Sequence, residues 1–377
     1  MKILICHHSF NSVGGGERVA LHLLKLLQDL GHDVAVATSE PTDWNYVRKI
    51  IGIDVGPVKE YNLVPVKLRA FGIYQRFLTS LHVLRFREKF DIIINTHGDV
   101  MLLPVDITYL HFPVISYLKL GYLKPYFKYL KSPFWLIYFT PYYLIQNRLA
   151  HQCFSNSLVI TNSNFSASII KMIFNIDAVI IYPPVEIDQY LKLSENEDRE
   201  DSVIYLARYS EEKNNHLLVL IAKELPDVKF ILAGSAHGKG RYYYEYCRKL
   251  KEKLNVKNIE ILKNITHEDK LKLLSKCKVY VHLMCMEHFG IAPVEALASG
   301  LVPVAHASGG TWSDVLEHGK YGLGYKRLDV YEIVEKIKEA LKKWSRSFVY
   351  SARTHVQKFS VEAFRKKFTK VIEKYGS

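Results

Sequence analysis

Residues 2–38 read KILICHHSFNSVGGGERVALHLLKLLQDLGHDVAVAT, and the spacing of their apolar residues changes twice. The β-branched run KILIC at 2–6 predicts a buried strand, and the run that ends at Gly31 predicts an amphipathic helix. A second strand pattern, DVAVAT, follows at 33–38. A strand, a helix and a strand in this order predict a βαβ unit with parallel strands.

Strand and helix patterns continue to alternate along the chain. Four more β-branched runs predict strands of the same sheet at 91–96, 106–111, 157–163 and 178–184. A second series predicts strands at 203–208, 228–234, 259–262, 279–284 and 302–306, and helices near 214–224, 241–254, 267–275 and 291–299.

The polar stretch SENEDRED at 194–201 lies between the two series and predicts an exposed hinge. A chain of 377 residues also exceeds what one hydrophobic core usually organises. The sequence therefore predicts an α/β protein of two doubly wound, Rossmann-like domains facing a central cleft, at 1–182 and 183–357. A terminal helix within 358–377 is expected to pack back on the first domain.

The composition limits the partners and the compartment. A formal charge of +13, from 51 basic and 38 acidic residues, favours anionic partners such as phosphorylated ligands, nucleic acid or an anionic membrane surface. The five cysteines contain no C-x-x-C pair, which argues against a disulfide framework or a zinc knuckle and predicts a reducing, cytoplasmic compartment. The sequence has no run of about 18 uncharged apolar residues that would predict a membrane-spanning helix.

The segment EHFGIAPVE at 287–295 follows a predicted strand and enters a predicted helix. Its amides at 289–291 would lie at the helix N-terminus, where unpaired donors bind phosphate. A carboxylate beside a phosphate is electrostatically unfavourable, so its presence there indicates a function. Glu287 and Glu295 would accept hydrogen bonds from vicinal sugar hydroxyls. The segment therefore predicts a site for a nucleotide sugar, against the alternative of one solvated and one helix-capping glutamate.

Arg208 and Lys213 follow the predicted strand at 203–208 and precede a predicted helix. Two fixed cations at the carboxyl end of a strand would neutralise a leaving diphosphate without a metal ion. Solvated surface residues are the alternative interpretation.

In the first domain, Gly14, Gly15 and Gly16 lie between a strand and a helix, where absent side chains let backbone amides approach a phosphate or a sugar. The spacing is not that of the dinucleotide fingerprint, and a tight structural turn is the alternative. His111 ends the predicted strand at 106–111 and is expected to point into the cleft, unless it is a structural hydrogen-bonding histidine.

Residues 107–176 contain no acidic residue, and their aromatic residues are interleaved with basic ones. This pattern predicts a surface that lies on anionic lipid, with the prolines at 125, 133 and 141 breaking the chain into short segments that could lie flat. Core aromatics with solvated lysines and an RNA-binding face are the alternatives. The membrane and acceptor contacts are assigned to Lys119, Lys124, Lys128, Lys131 and Trp135.

With these residues in view, the chain resembles the retaining family 4 glycosyltransferases of GT-B fold over nearly its whole length. Within that family it is most similar to the dolichol-pathway α-1,2-mannosyltransferases, which use GDP-mannose and act on lipid-linked oligosaccharide. The resemblance rests on GGGERV at 14–19, LHFPVIS at 110–116, YPPV at 182–185, EKN at 212–214, MEHFGI at 286–291 and AHASGG at 305–310.

The resemblance implies roles for individual residues. Glu295 would bind the ribose and Glu287 the hydroxyls of the donor sugar, and both would act with Arg208 and Lys213 on the donor. His111 would lie at the reacting face. The remaining donor contacts would come from backbone amides and loop residues, namely Gly15, Gly16, Gly234, Asn264, Ile265, His288, Phe289, Gly290 and Ile291.

The resemblance also implies partners and a location. The expected partners are a nucleotide sugar, a glycan acceptor linked to polyprenyl phosphate or pyrophosphate, and an anionic membrane surface, with no nucleic acid, no cofactor and no metal. The expected place is the cytoplasmic face of the membrane, with peripheral attachment. Ala207 and Asp314 depart from the family's usual Gly and Glu, and Asn215 is an extra residue that is expected to shift a helix start.

Three alternatives remain open from the sequence. A UDP-sugar donor is possible because the loops at Gly234 and at 264–265 carry no readable code for guanine over uracil. A glycoside hydrolase would also use two carboxylates but has no need of Arg208 and Lys213. A non-catalytic lipid-binding or nucleic-acid-binding protein would explain the charge and the aromatics but not the two glutamates.

Overall fold

The protein is described by a computed structural model that covers residues 1–12, 14–66, 72–130, 132–154 and 156–376. The chain forms two compact units. Unit 1 comprises Met1–Pro184 and Val361–Ser377, and unit 2 comprises Val185–Ser360. The domains predicted from the sequence are 1–182 and 183–357, with the terminal helix within 358–377.

Within the described residues, unit 1 contains a parallel seven-stranded sheet in the order β3-β2-β1-β4-β5-β6-β7. Ile3 of β1 pairs with Val34 on one side and with Ile92 on the other. The direction of the strand order therefore reverses between β1 and β4. The strands are β1 Lys2–Cys6, β2 Asp33–Thr38, β3 Lys59–Asn62, β4 Ile92–Asn95, β5 Ile107–Leu110, β6 Leu158–Thr161 and β7 Val179–Ile180.

Unit 2 contains, in its described part, a parallel six-stranded sheet in the order β10-β9-β8-β11-β12-β13. Its strand order reverses between β8 and β11. The strands are β8 Glu200–Leu206, β9 Lys229–Gly234, β10 Ile259–Lys263, β11 Cys277–His282, β12 Val302–His306 and β13 Leu323–Tyr325. Two α/β units with parallel sheets confirm the predicted fold class.

The α-helices follow most of the strands along the chain. In chain order they are α1 Gly15–Asp29, α2 Trp44–Ile51, α3 Gly72–Leu78, α4 Ser80–Phe86, α5 Ser116–Lys119, α6 Pro133–Phe154, α7 Asn164–Phe174, α8 Ile187–Leu193, α9 Asn215–Glu224, α10 Gly240–Lys253, α11 His267–Lys276, α12 Ile291–Ala298, α13 Val330–Lys343, α14 Arg346–Val356 and α15 Val361–Gly376.

The first helix shows how the sequence sets these bounds. Glu17 accepts a hydrogen bond of 2.7 Å from the amide of Gly14 and so caps α1, and Gly31 follows the helix with a φ of +77°. Between these ends α1 buries an apolar face on the sheet, and α15 buries Phe364 and Phe368 in the same core. The terminal helix therefore completes the core of unit 1.

The stretch at 194–201 is mostly exposed, as predicted, but it is not a hinge between the units. Strand β8 begins inside this stretch at Glu200, and the side chain of Arg199 is buried. Its guanidinium donates to carbonyl oxygens at the ends of three helices, which have no partner within their own helix, and to one carbonyl in the turn after α8. The acceptors are the carbonyls of Leu193, Asn196, Leu274, Cys277 and Ser299. The boundary between the units lies instead at Pro184 and Val185.

The sequence patterns did not identify the strands β3 and β13, nor the helices α2 to α8, α13 and α14. Strands β3 and β13 each lie at one edge of their sheet. The sequence of β3, KEYN, carries charge and no apolar alternation, as edge strands often do to avoid pairing with other chains. A search that relied on β-branched runs therefore missed these two strands, whereas it found the edge strands β7 and β10 at the other side of each sheet.

The expectation that proline breaks the aromatic region into short segments is wrong for Pro141. It lies inside the continuous helix α6. Proline lacks the amide that would bond to the carbonyl four residues earlier, and Pro141 is on the exposed side of α6, where water can replace that bond. In the ranges that the structure describes, no helix is both long enough and apolar enough to cross a membrane.

Candidate functional site

The first group of predicted site residues lies at the carboxyl ends of β8 and β11 in unit 2. These two strands flank the reversal of strand order, where ligands bind in open α/β sheets. The ammonium of Lys213, after β8, lies 2.7 Å from Oε2 of Glu287, after β11. Nε2 of His282, the last residue of β11, lies 3.4 Å from the same oxygen. The structure thus brings together one predicted cation and one predicted carboxylate.

Partly buried hydrogen bonds fix the loop that carries Lys213. The hydroxyl of Tyr205, a residue of β8, donates to the carbonyl of Lys213 at 2.7 Å. Asn214 has a φ of +49°, and its side-chain amide donates to the carbonyl of Leu283 at 2.9 Å. Asparagine tolerates this left-handed conformation better than most residues. The sequence KN at 213–214 therefore joins the loop after β8 to the loop after β11.

The electrostatics favour an ionised Glu287. Burial raises the pKa of this carboxyl, but the Lys213 ammonium and the His282 ring lower it more, so the pKa lies well below its ordinary value. Burial lowers the pKa of His282, and Glu287 only partly offsets that effect. At neutral pH the site therefore holds a carboxylate, an ammonium and a neutral imidazole.

The loop from Met286 to Gly290 is held by close backbone packing. Met286 has a φ of +52°, and its amide donates to Oγ of Ser308 at 3.0 Å. A Cβ added to Gly310 would lie 2.1 Å from the carbonyl oxygen of His288. Only glycine therefore fits at position 310 of the segment ASGG. From the sequence, this segment was part of the family resemblance and had no predicted structural role.

Helix α12 begins directly after this loop. Gly290 precedes it with a φ of +103°, and a Cβ there would lie 2.4 Å from Oγ1 of Thr311. Thr311 donates to the carbonyl of Phe289 at 2.9 Å. The first amides of a helix, here from Ile291 onwards, have no acceptor within the helix and carry its positive dipole end. This arrangement suits an anion beside Glu287.

The ring of His288 is neutral at physiological pH. Burial lowers its pKa to about 4, with Glu287 opposing and Lys213 adding to the shift. A neutral imidazole both donates and accepts hydrogen bonds, so this residue suits a hydroxyl group.

Glu295 lies in the second turn of α12 and is buried. Its Oε1 accepts from the hydroxyl of Tyr190 at 2.9 Å, and its Oε2 accepts from the ammonium of Lys270 at 2.7 Å. That ammonium also lies 5.1 Å from the centre of the Tyr190 ring. The sequence analysis missed both partners, because Tyr190 and Lys270 lie in helical patterns that resemble any amphipathic helix.

The other predicted donor residues have separate surroundings. The side chain of Arg208 is 66% exposed and pairs with Glu212 at 2.9 Å. A Cβ on Gly234 would lie 1.8 Å from the carbonyl oxygen of Ala207, so backbone packing alone requires this glycine. Asn264 has a φ of +52°, and its Oδ1 accepts from the amide of Ala236 at 2.9 Å. Ile265 follows Asn264 and is partly exposed.

A second group lies in unit 1, at the carboxyl ends of its strands. Gly15 is the first residue of α1. A Cβ on Gly16 would lie 3.3 Å from Nε2 of His111, and one on Gly98 would lie 2.4 Å from Cδ2 of the same ring. His111 directly follows β5 and is partly exposed. The structure thus brings together the glycine turn and His111, as part of unit 1.

The sequence analysis missed several polar residues beside this turn. Glu17 is buried, and its Oε1 lies 3.8 Å from Nε2 of His7. Burial raises the pKa of Glu17, but hydrogen bonds and the nearby His7 lower it further, to below its ordinary range. His97 and Asp99 are also buried. His7 lies in the polar run HH after β1, and His97 and Asp99 lie in the polar run THGD after β4. Polar runs at strand ends are therefore the sequence signal for these three residues.

The residues predicted to contact the membrane lie in different elements, and three of them are described with exposed side chains. Lys119 is exposed, and its ammonium lies 5.9 Å from the Phe174 ring. Lys124 is exposed in a 3₁₀ turn, and the Trp135 side chain is exposed in α6. Lys128 lies in a further 3₁₀ turn, with a side chain outside the description, and Lys131 lies outside the described residues.

Helix α6 divides the aromatic region into two faces. One face, which includes Phe139 and Tyr142, is buried in an apolar cluster. The opposite face exposes apolar side chains at the helical spacing of three, seven and eight residues. These are Phe134, Ile137, Leu144 and Ile145. Core aromatics explain only half of the pattern, because the side chains on the other half are exposed.

Among the residues that the structure describes, no group of three or more histidine, cysteine, aspartate or glutamate side chains is arranged to hold a metal ion.

Two family models match the sequence. The model described as glycosyl transferases group 1 matches residues 187–373, and the model described as glycosyltransferase family 4 matches residues 13–189. The first match contains Lys213, Glu287 and Glu295, and the second contains the glycine turn and His111.

Curated relatives share the printed name GDP-Man:Man(3)GlcNAc(2)-PP-Dol alpha-1,2-mannosyltransferase. The one from Dictyostelium discoideum is 30% identical over 241 residues, which are 58% of this chain and 47% of the relative. The one from Candida albicans is 24% identical over 378 residues, covering 82% of this chain and 61% of the relative. The chain spans about half the length of the curated relatives it matches.

Solved structures have the same fold. The Anabaena protein HepE, solved in complex with UDP-glucose, matches with a TM-score of 0.70 at 19% identity and covers 99% of this chain and 100% of its own. At this identity the match concerns the fold alone.

Proposed function

We propose a donor, an acceptor and a location for this chain, which belongs to the group 1, family 4 glycosyltransferases of GT-B fold. It transfers a hexose to a lipid-linked oligosaccharide or glycolipid at a membrane surface. The hexose is mannose, and its donor is GDP-mannose. The names of the curated relatives support this donor and this acceptor. The observation that carries the proposal is the pair of Lys213 and Glu287, 2.7 Å apart beside the N-terminus of α12.

The pair suits the two parts of a nucleotide sugar. The ammonium of Lys213 has three hydrogen donors, so it can bind a diphosphate oxygen while it still contacts Glu287. The ionised Glu287 accepts hydrogen bonds from the hydroxyls of the transferred sugar, and Glu295 accepts from the ribose. The first amides of α12 would add donors to the diphosphate.

The proposed reaction breaks the bond between the sugar and the donor phosphate and forms a bond from the sugar to an acceptor oxygen. Lys213, Arg208 and the amides of α12 stabilise the charge that develops on the leaving diphosphate, a task that does not require a metal ion. A phosphate oxygen of the leaving group takes the proton of the acceptor hydroxyl on the same face of the sugar. The configuration at the sugar is therefore retained.

The exposed face of α6 supports a peripheral contact with the membrane. Ile137 is 73% exposed and Phe134 is 69% exposed, on a helix without an acidic residue. Arg148 continues this face toward the end of the helix and is also exposed. Apolar side chains that enter the lipid and cations that meet anionic headgroups bind peripheral proteins to membranes. The proposed attachment is to the cytoplasmic face.

Nucleotide binding and sugar transfer test the donor and the acceptor. Thermal stabilisation is measured with GDP, UDP and ADP, and transfer is measured from GDP-mannose and UDP-glucose to a Man(3)GlcNAc(2) glycan on a polyprenyl pyrophosphate. We expect the largest stabilisation with GDP and transfer only from GDP-mannose. Stabilisation by UDP with transfer from UDP-glucose would replace the proposed donor with its main alternative.

The variant Glu287→Ala tests the site itself. We expect it to abolish detectable transfer while the protein stays folded. Undiminished transfer would refute the role of Glu287 and, with it, the observation on which the proposal rests.

Co-sedimentation with vesicles of anionic and neutral lipid tests the location. We expect Phe134→Ser with Ile137→Ser to release the protein from anionic vesicles. Tyr331→Ser is the matched control, because Tyr331 is 68% exposed on unit 2. Equal binding of all three proteins would rule out α6 as the contact.

A further inference from the structure

Three side chains from three helices of unit 2 meet at the carboxylate of Glu295. Tyr190 belongs to α8, Lys270 to α11 and Glu295 to α12. The Tyr190 hydroxyl donates to Oε1 of Glu295 at 2.9 Å, and the Lys270 ammonium donates to Oε2 at 2.7 Å. The same ammonium lies 5.1 Å from the centre of the Tyr190 ring, within the range of a cation–π contact. Each member of the group therefore contacts both of the others.

The two partners restrict a side chain that is flexible by itself. A glutamate side chain has several rotatable bonds, so ordering it in one conformation costs entropy. Contacts on both oxygens of Glu295 fix its carboxylate before a ligand binds. A group that is already fixed binds its ligand more tightly, because binding does not have to order it.

Lys270 lies at a position that does not favour a cation. It is the fourth residue of α11, directly after Glu268 and Asp269, which carry the charge that a helix N-terminus prefers. The positive end of the helix dipole disfavours an ammonium nearby. The pair with Glu295, whose side chain is 8% exposed, offsets this cost and supplies the counter-charge that a buried carboxylate requires.

The three helices that carry the group are joined at their C-terminal ends. The buried guanidinium of Arg199 donates to the carbonyls of Leu193 at the end of α8, Leu274 and Cys277 at the end of α11, and Ser299 after α12. A guanidinium is planar and presents its donors in a fixed fork, so it holds the helix ends in one arrangement. This arrangement keeps the three side chains within contact distance.

We infer that Lys270 and Tyr190 are positioning residues, which hold the Glu295 carboxylate in the orientation that binds the ribose hydroxyls. The inference deepens the proposed function and rests on it, because the ribose contact of Glu295 is itself proposed. The preference of the enzyme for a ribonucleotide over its deoxy analogue then depends on two residues that act through a third.

Binding of a nucleotide with and without its ribose hydroxyls isolates this role. Titration calorimetry gives the dissociation constants of GDP and of dideoxy-GDP, which lacks both hydroxyls. We expect Lys270→Met to weaken the binding of GDP about tenfold, because the carboxylate must then be ordered on binding. Tyr190→Phe removes one neutral hydrogen bond and should weaken it about threefold. Unchanged binding of dideoxy-GDP is expected in both variants and shows that each is folded.

Lys278→Met is the matched control in the same unit. Lys278 pairs with Asp201 at 2.6 Å, its side chain is 21% exposed against 20% for Lys270, and its ammonium also lies 5.1 Å from an aromatic ring, that of Trp344. It is the second residue of β11, at the amino end of the strand and away from the ends that bind ligands. We expect this variant to bind both nucleotides like the parent. Lys270→Arg keeps a cation for Glu295 and should recover part of the GDP affinity.

A double substitution tests whether Lys270 acts through Glu295. If it does, Lys270→Met should cause no further loss of GDP affinity in a protein that already carries Glu295→Gln, so the two losses should not add. Additive losses would overturn the inference. Equal losses of GDP and dideoxy-GDP affinity in Lys270→Met, or a ratio of the two constants that both single variants leave unchanged, would also overturn it.

Failure of the proposed function has a different signature. A parent protein that binds GDP and dideoxy-GDP equally would refute the ribose contact of Glu295, and a parent that binds neither would refute the proposed donor. The same measurements with UDP and dideoxy-UDP make the test independent of the base, because the inference concerns the ribose alone.

Discussion

The strand ends of the two units carry different chemistry on the same kind of scaffold. In unit 2 they hold two close ion pairs, Lys213 with Glu287 and Lys270 with Glu295. In unit 1 the equivalent position holds the imidazole rings of His7 and His97. Fixed charges suit a ligand that carries a diphosphate, whereas the neutral ring of His97 suits a hydroxyl group. The difference teaches that the fold sets where a ligand binds and the side chains set which ligand binds.

The largest expected effect comes from removing the cation of the ionic site. Lys213→Met should lower kcat/KM for the nucleotide sugar about a hundred- to a thousandfold, because one positioned charge on a developing anion contributes about 3–4 kcal/mol. Initial rates of transfer measure it. Lys229→Met is the matched control: its pair with Glu200 has the same length of 2.7 Å, but Lys229 is 73% exposed. Equal rates for both variants would contradict the distinction between the two pairs.

The pH dependence of stability tests whether His288, inside the ionic site, is neutral like His97 of unit 1. Its pKa is about 4 in the folded protein and about 6.5 in the unfolded chain. The unfolded chain therefore takes up the proton first as the pH falls, and stability that is complete above pH 6.5 is lost toward pH 4. The contribution is at most about 3 kcal/mol.

We expect His288→Gln to flatten the decrease in unfolding free energy between pH 6.5 and pH 4, as measured by urea denaturation. At pH 8 neither state of the parent ring is charged, so that pH serves as the internal control. A variant whose curve stays as steep as that of the parent would show that the ring is charged in the folded protein.

Glycine substitutions test whether the two strand-end loops are equally tight. Gly310→Ala should cost about 2 kcal/mol, because the new Cβ would meet the His288 carbonyl at 2.1 Å and the backbone must shift. Gly16→Ala should change stability by less than about 1 kcal/mol, since its Cβ would meet only the His111 ring at 3.3 Å and alanine favours the helix. Urea denaturation measures both. The reverse order would disprove the tighter packing in unit 2.

The smallest effect on stability is expected at Arg208. Its pair with Glu212 is exposed, so Arg208→Met should change the unfolding free energy by less than about 0.5 kcal/mol. If Arg208 binds the leaving diphosphate as proposed, the same variant should still lower kcat at least tenfold. Unchanged kcat would place Arg208 among ordinary surface residues.

The sequence predicts the central strands and the edge strands β7 and β10, but not the edge strands β3 and β13. Strands β1, β2 and β12 begin and end where their apolar runs do, because burial on both faces leaves a continuous β-branched signal. The edge strand β3 has no such signal. Arg199 shows another limit, because an arginine inside an acidic stretch looks solvated until the helix ends that it binds are known.

The candidate site is predictable where one motif contains the residue and hidden where a partner lies far along the chain. Glu287 and Lys213 were proposed from their own loops, and the structure adds their contact across 74 positions. His97 lies in the polar run THGD after β4, which does not by itself indicate a role. The surroundings of its ring depend on the backbone of Asp99 and on the packing of β1 beside β4, which no local pattern reports.

The return of α15 to unit 1 has a consequence for biosynthesis. Phe364 and Phe368 complete the core of unit 1, yet the ribosome makes them only after all of unit 2. Unit 2 enters and leaves at neighbouring residues, since Val185 and Ser360 form a β-bridge. We therefore expect the inserted unit to fold first during translation and the host unit to wait for its last helix. A chain truncated after residue 360 would contain all of unit 2 but lack the last helix of unit 1.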